Sequence, residues 1–480
     1  MNKEKILDEI GSIPDRFIEE ARPKGKRKRL VTIVGPIAAA LVLIVGAALL
    51  LPKFLSGGKA AAPQSAPAAD NEQKPADTRE PVSGTPAGEE GEGSVYLLNA
   101  GVRAAQDRSS AKSVQSIRLF TEGLTGALMD GADGNTVFSP AGVYIALGML
   151  GETAEGASLD EILNALGAES LTSVRANSRA LLASESADDG RTYVSLANSL
   201  WINNKYACDS EILEGLANDY SASSYWGDPA DNAFSAALRS WLNTATGGLL
   251  KESVDGVNLD LDTVMALFSA VCFRSPWRAP YSENLTDNGI FHTPDGDVVR
   301  YFMHRTKAGR LVFEGEGFVA VCEDTDGGRV WYLLPDEGVS PVEMLENGGY
   351  DFMFSDKNAA QKLLVNLTVP RLDASRDTDL IPALNRMGVV SCFSPLNADF
   401  TRLTGEGLFV SKADHSARIV TDEEGIMAAA YTQIDLAPNS AKPPEAPRVI
   451  DIVINRPFVM FVTGVSGQPL FIGIINDPVN

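Results

Sequence analysis

Histidine, cysteine and the carboxylates are the side chains to weigh first, because they carry most enzymatic chemistry. The chain has only three histidines in 480 residues, His292, His304 and His415. No H-E-x-x-H helix, G-x-S-x-G nucleophile turn, G-x-x-x-x-G-K-[ST] phosphate loop or G-x-G-x-x-G dinucleotide turn occurs. The nearest serine string, GVSG at Gly464–Gly467, has the wrong spacing for a nucleophile and reads as a hairpin turn. Cys208, Cys272, Cys322 and Cys392 form no C-x-x-C pair, which argues against a structural zinc. Free buried thiols are expected, with a Cys272–Cys322 bridge as the alternative. Carboxylates are plentiful, but nothing in their spacing singles out an acid–base pair. An enzyme, a metal and a cofactor are therefore not expected.

The unusual stretch is Thr421–Gln433, TDEEGIMAAAYTQ. It opens with three carboxylates, passes one glycine, and runs through small residues to Tyr431 and Thr432. A proline-peppered IDLAPNSAKPPEAPR follows, and then the apolar VIDIVINRPFVMFV. A loop this long in a compact domain is usually functional or disordered. Its small-residue half can pair as a strand, because alternate side chains are compact enough to go under a sheet. A strand-competent segment held out as a loop implies a stored conformational change.

The elements that must carry this loop divide the chain. Net charge is −22. Residues 1–51 hold nine Lys or Arg and six Asp or Glu, so +3, which leaves −25 for the rest. A body this acidic should repel nucleic acid and anionic lipid. Leu30–Leu51 is a 22-residue run without a charge, preceded by RPKGKRKR. That length spans a hydrocarbon core, and the basic flank places residues 1–29 as a cytoplasmic tail. A secretory signal peptide cut near Ala60 is the competing reading. Its apolar core would be shorter and its basic end nearer residue 1, so an uncleaved transmembrane helix over 30–51 is favoured.

Residues 52–112 read as an extracellular linker. Ser56–Ser94 is rich in Ala, Pro, Gly, Ser and Glu and cannot bury a core. As a flexible stalk it has a mean span of about 35 Å. From Ser116 helical spacing dominates to about Gly248. Strand patterns such as TVMALFSAVCF, FVAVCE, VWYLLP and KLLVNLTVP then alternate with helices. Mixed helices and long strands without regular alternation predict an α+β domain over 113–480.

Several segments resemble the serpin family in matching order. The hinge resemblance runs through Glu423, Glu424, Gly425, Ile426, Met427, Ala428, Ala429, Ala430, Tyr431 and Thr432. NTVFSPAGVYIALGMLGETAEGAS (Asn135–Ser158) is similar to the family's second helix, and LFSAVCFRSPW (Leu267–Trp277) to its strand ending in Trp. NLTVPRLD (Asn366–Asp373), SKADHSARIVTDEEG (Ser411–Gly425) and the closing NRPFVMFV and PLFIGIINDP also match. The resemblance implies helices packed on a large mixed five-stranded sheet plus two smaller sheets, with an exposed reactive-centre loop.

The function it implies is an inhibitor acting as a monomer on serine- or cysteine-type endopeptidases, and together with the expected membrane helix this reads as a membrane-tethered inhibitor on a bacterial surface. A protease attacks the loop, forms an acyl-enzyme and is carried away covalently as the upstream arm inserts into the main sheet. Fourteen residues from Gly425 span roughly 46 Å when extended. By the family's spacing the reactive bond is Asn439–Ser440, with Leu436 as the alternative. Insertion would turn Ile426, Ala428, Ala430 and Thr432 inward and Met427, Ala429, Tyr431 and Gln433 outward. Ile426 stands where the family usually has Thr or Ser, and its bulk is expected to slow the first step of insertion. His415 and Ser139 match the family's central shutter. Ser269 stands where an Asn is usual and Gly142 where a second small polar residue is usual, so a thin network is expected. Trp277 matches the tryptophan of the breach, beneath the point where the loop enters. A non-inhibitory serpin, acting as a binding or signalling module, is the other reading.

Overall fold

The computed structural model describes residues 95–129, 134–248, 256–357, 359–426 and 449–479, all within one compact unit, Ser83–Asn480. The expected tail and the expected transmembrane helix lie outside the described residues. Among the described residues no helix is long and apolar enough to cross a membrane.

Helices form where caps and periodicity agree. Helix α1 (Arg118–Met129) turns Phe120, Leu124 and Ala127 inward. Helix α2 (Pro140–Thr153) starts from a Ser139 N-cap with Pro140 in its first turn, and every one of its residues is buried. It is apolar all round because it runs through the centre of the core. Helices α3 (Gly156–Leu166), α4 (Leu171–Glu185) and α5 (Ser210–Tyr220) surround it. Helix α6 (Asn232–Ala245) is capped by Asp231 and buries Phe234, Leu238 and Leu242. These residues cover one face of the main sheet against Trp201, Phe268 and Ala270.

That sheet has eight strands. Its order is β1 (Tyr96–Asn99), β5 (Ala222–Gly227), β4 (Tyr193–Asn203), β6 (Met265–Pro276), β14 (Gly425–Ile426), β13 (Val410–Thr421) and β12 (Leu372–Asp379). The short β3 (Ala187–Asp188) pairs with β4. A second sheet of nine strands holds β15 (Val449–Val453), β11 (Gln361–Pro370), β8 (Gly296–Gly315), β9 (Phe318–Asp324), β10 (Arg329–Pro335), β16 (Phe458–Thr463), β17 (Pro469–Ile475) and β2 (Thr136–Phe138), with β7 (Thr286–Thr293) on β8. GVSG does form the turn between β16 and β17, and buried Glu185 accepts from the backbone N–H of Val465 and Ser466 at 2.9 and 2.7 Å.

Two expectations need correction. The two smaller sheets are continuous, because the 20-residue β8 runs through both, bending at Gly309 with φ +74°. The large sheet exceeds five strands, partly because Tyr96–Asn99, expected in the linker, pairs antiparallel with β5. The chain beyond β1 also stays attached, with Val102 N–H donating to Ala217 O at 3.1 Å and Asp107 N–H to Ala183 O at 2.8 Å.

Candidate functional site

The centre of interest is the seam between β6 and β13. These strands are parallel and directly paired from Val410↔Met265 to Ser416↔Ala270. Above that point they part. Gly425–Ile426 fills the top of the gap, with Gly425↔Pro276 and Ile426↔Ser275 antiparallel on β6 and Thr421↔Ile426 on β13. The chain therefore turns back after Thr421 and slots its first hinge residues into the sheet. Between the two ends, Val271–Arg274 faces Ala417–Val420 with no registered pair among the described residues.

The turn is held at three successive carbonyls. Trp277 Nε1–H donates to Asp422 O at 2.8 Å, Tyr281 N–H to Glu423 O at 2.8 Å and Trp277 N–H to Glu424 O at 2.8 Å. Trp277 is buried and packs edge-on against Tyr281. The Asp422 carboxylate folds back to accept from the N–H of Glu424 and Gly425. Glycine is required at 425, since a Cβ there would lie 2.5 Å from Ser275 O and 2.6 Å from Pro276 Cα.

Glu423 anchors the turn by charge. Its carboxylate accepts from Arg371 Nη2 at 2.7 Å and Nε at 3.0 Å, and from Thr286 Oγ1 at 2.5 Å. Burial opposes its ionisation, but the Arg371 and Thr286 bonds outweigh that and hold the carboxyl below its usual range. Glu424 is the reverse case. Desolvation first, then the neighbouring Asp422, Glu283 and Glu423 carboxylates, push it up.

The structure differs here from a hinge wholly outside the sheet. Glu423, Gly425 and Ile426 are buried, and Ile426 joins the main hydrophobic core. The side chain of Ile426 faces inward, as its place in the alternation predicts. Its bulk is already seated in the sheet and the core. Ala428, Ala429, Ala430, Thr432, Leu436, Asn439 and Ser440 lie outside the described residues.

At the lower end of the gap, one row crosses the sheet: Asn198↔Ser269↔His415↔Thr378. Ser139 N–H donates to His415 Nε2 at 2.9 Å, which leaves the ring proton on Nδ1 beside the Ser269 backbone. His415 is fully buried, and desolvation pulls its pKa down to about 4. The amide of Asn198 and the hydroxyl of Ser269 have no hydrogen-bond partner among the described residues. Gly142 explains the thinness of this network. A Cβ at 142 would lie 2.5 Å from Val271 Cγ2, so the valine fills the space a small polar side chain needs.

The seam thus brings together Ser139, Ser269 and His415 at its middle and Trp277, Glu423, Glu424, Gly425 and Ile426 at its top. Sequence reasoning missed Arg371, Thr286, Tyr281 and Asn198. Arg371 lies inside the quoted NLTVPRLD, but its pairing with the buried Glu423 carboxylate far along the chain was not visible from the string. The four cysteines are free, and Cys272 and Cys322 are buried without bridging. Among the described residues no group of His, Cys, Asp or Glu could hold a metal ion.

Residues 116–478 match the family model described as Serpin (serine protease inhibitor). Serpin-Z2A of Oryza sativa subsp. japonica is 27% identical over 396 residues, covering 72% of this chain and 92% of its own. Neuroserpin of Rattus norvegicus is 26% identical over 371 residues, covering 72% and 87%. The native-state crystal structure of the thermophilic serpin tengpin superposes with a TM-score of 0.69 at 23% identity, over 80% of this chain and 100% of that one. Arabidopsis AtSerpin1 in its native stressed conformation gives 0.63 at 25% identity, over 78% and 100%.

Proposed function

The chain belongs to the serpin family, and from that premise we propose that it inhibits serine- or cysteine-type endopeptidases by acyl trapping with loop insertion. The observation that carries this reading is the register of β14. Antiparallel continuation from Ile426↔Ser275 sets Met427, Ala428, Ala429 and Ala430 opposite Arg274, Phe273, Cys272 and Val271. Those are the four β6 residues that, paired with β4 on one edge, have no registered partner on the β13 side. Ala428 and Ala430 fall beside Phe273 and Val271, which point into the main core, and an alanine methyl is small enough to fit there. The first four added residues therefore pair without breaking any β6–β13 pair. Tyr431 and Thr432 then meet Ala270 and Ser269, where the seam must split at the His415 row.

In the proposed reaction the protease nucleophile attacks the Asn439 carbonyl, with Leu436 as the alternative, and the new N-terminus at Ser440 leaves as the amine. The acyl bond stays intact while the arm zips downward. The gain comes from pairing both edges of the new strand. Mixing the protein with a protease panel tests this on a denaturing gel. A covalent band at the summed mass less the peptide that leaves from Ser440 onward supports trapping, and mass spectrometry of that released peptide fixes the cut. Clipping without that band supports the other reading.

That second reading, a substrate-like or binding serpin, is favoured by one observation. Tyr431 would arrive opposite Ala270, on the face that α6 covers with Phe234 and Leu238. A phenol ring under that helix requires α6 to move. We also place the domain outside the cell, tethered through Leu30–Leu51 with residues 1–29 cytoplasmic, on the apolar length and basic flank of that segment. Loop cleavage by protease added to intact cells, with the tail protected, tests this orientation.

A further inference from the structure

A buried cationic cluster lies behind the breach. Arg305 and Arg310 on β8 both contact the carboxylate of Glu323 on β9, Arg310 Nη1 at 2.5 Å from Oε1 and Arg305 through Nη2 on Oε2. Glu323 is 0% exposed and Arg310 1% exposed. Two guanidiniums on one carboxylate leave a surplus of one positive charge. Asp324, the next acidic neighbour, also attracts Arg305, but it is shared with Lys307 at 3.5 Å and Arg329 at 3.3 Å, two further positive charges. Tyr281 and Tyr332 complete the cluster. The Arg305 guanidinium sits 4.3 Å over the Tyr281 ring, and both phenols interact with both arginines. Burial pushes the two phenols up, so they stay neutral.

The hydrogen-bond account is as unbalanced as the charge. Nε and Nη1 of Arg305 and most of the Arg310 guanidinium have no full set of acceptors among the described residues, which offer them the Glu323 carboxylate and the Tyr281 hydroxyl beside Arg310. The guanidinium groups only donate, and the two phenols can donate as well as accept. A buried guanidinium cannot shed its proton as a lysine does, so the surplus cannot titrate away. Unpaired buried charge is among the costliest features a fold can carry. A water molecule would bring two donors of its own into a site short of acceptors. An anion accepts several bonds, donates none and cancels the surplus.

We infer that Arg305, Arg310, Tyr281 and Tyr332 form a site for one small monovalent inorganic anion of the chloride class. Monovalency follows from the surplus of one, and small size from a cluster enclosed between β8, β9, β10 and the segment after β6. The site is linked to the hinge through Tyr281, whose N–H holds Glu423 O, and through β9, whose end pairs Thr325 with Trp277. Anion binding therefore stiffens the clamp on the hinge turn. This inference does not depend on whether the protein traps proteases.

The test uses the full chain in sodium gluconate, chloride and bromide at equal ionic strength. With gluconate too large to enter, the thermal transition should rise by about 2 °C per tenfold of halide above its dissociation constant. Trp277 fluorescence should change with the same midpoint. Arg310→Met removes the surplus charge and should abolish the halide dependence. A crystal grown in bromide should show an anomalous peak in contact with Arg310. Equal transitions in gluconate and chloride would overturn the site, as would a halide slope that survives in Arg310→Met. A tyrosinate absorbance band in gluconate at neutral pH would also overturn it, because the surplus would then be neutralised within the protein. If Arg310→Met fails to fold, the bromide peak decides: present, it supports the site; absent, it removes it.

Discussion

The two ends of the β6–β13 gap are closed by different physics. At the top, three consecutive carbonyls of the turn are bonded by Trp277 and Tyr281, and Glu423 is gripped by Arg371 and Thr286. At the middle, one backbone donor reaches His415, and Asn198 and Ser269 bring polar groups that the described residues leave unmatched. The top is a multidentate clamp, in which each bond keeps the others aligned. The middle is a thin row kept together by packing. On the proposed insertion, a strand extending down from Ile426 leaves the clamp in place and first has to break registered β6–β13 pairs near the His415 row.

The sharpest way to break this comparison is at the hinge just beyond the clamp. Ala428→Arg should abolish trapping while loop cleavage continues at a similar rate. Extrapolated register sets residue 428 beside Phe273, so insertion would bury a guanidinium in the core without a partner. Met427→Arg, on the opposite face beside Arg274, should be much milder. A stoichiometry-of-inhibition titration on both variants reads the difference. Equal trapping by the two would remove the strand-insertion mechanism.

The next largest effect concerns the middle, through pH. His415 is held by burial at about 4, below its ordinary 6.5. Between those values the unfolded chain binds the proton and the native state does not, so native stability falls as pH drops through that window. The full loss is about 3 kcal/mol. Asp414 and Glu185 are pushed up by burial and act with the opposite sign. The quantity to measure is therefore the difference between wild type and His415→Gln in thermal transitions from pH 7 to pH 4. The wild type should lose more on acidification. A parallel pair of curves would show that His415 is solvated and the middle is not a desolvated row.

The clamp itself should show a smaller effect without that pH dependence. Glu423→Gln exchanges a charge-assisted bidentate bond for a neutral one and should cost about 2 kcal/mol. Because its carboxyl lies below the usual range, Glu423 contributes above that range and loses the contribution only as pH falls through its lowered value. Limited proteolysis of the hinge, or hydrogen exchange at Tyr281 N–H, should report the loosened turn. Unchanged exchange in the variant would place the clamp in Trp277 alone.

How far these features were legible beforehand follows from their physical type. Local signals carried well: the period of Ile426 and the GVSG turn both depend on near neighbours in sequence. The α+β class and the site residues of the seam came from residue patterns that recur in a fixed order. Long-range pairing did not show. Nothing in Tyr96–Asn99 announces that its edge will meet β5 more than a hundred residues on. The partial insertion of Gly425–Ile426 was invisible because a hinge reads the same inside or outside a sheet. Sequence reading assigned Arg371, Arg305 and Arg310 no partner, and only the structure brings each to its carboxylate.

The smallest effect asks why the middle is thin, and whether Val271 is the reason. Gly142→Ser places a Cβ 2.5 Å from Val271 Cγ2, tighter than real contacts allow, so the single variant should be destabilised by about 1–2 kcal/mol through overpacking. The same Cβ lies 3.1 Å from Ser269 Oγ, close enough for a serine hydroxyl at 142 to find a partner once the valine is cut back. Val271→Ala alone leaves a small void at a core position and should also cost about 1–2 kcal/mol. In the double variant the void receives the new side chain and the Ser269 hydroxyl gains a bond. The two costs should therefore fall short of additivity by about 1 kcal/mol, the range expected for residues in contact. A double-mutant cycle on urea unfolding measures that coupling. Full additivity would mean that Val271 does not hold the space, and the thinness of the row would need another cause. Coupling of the expected sign would also thicken the middle relative to the clamp. The same double variant should then trap proteases more slowly than the wild type, because Thr432 must part a better-bonded row to enter.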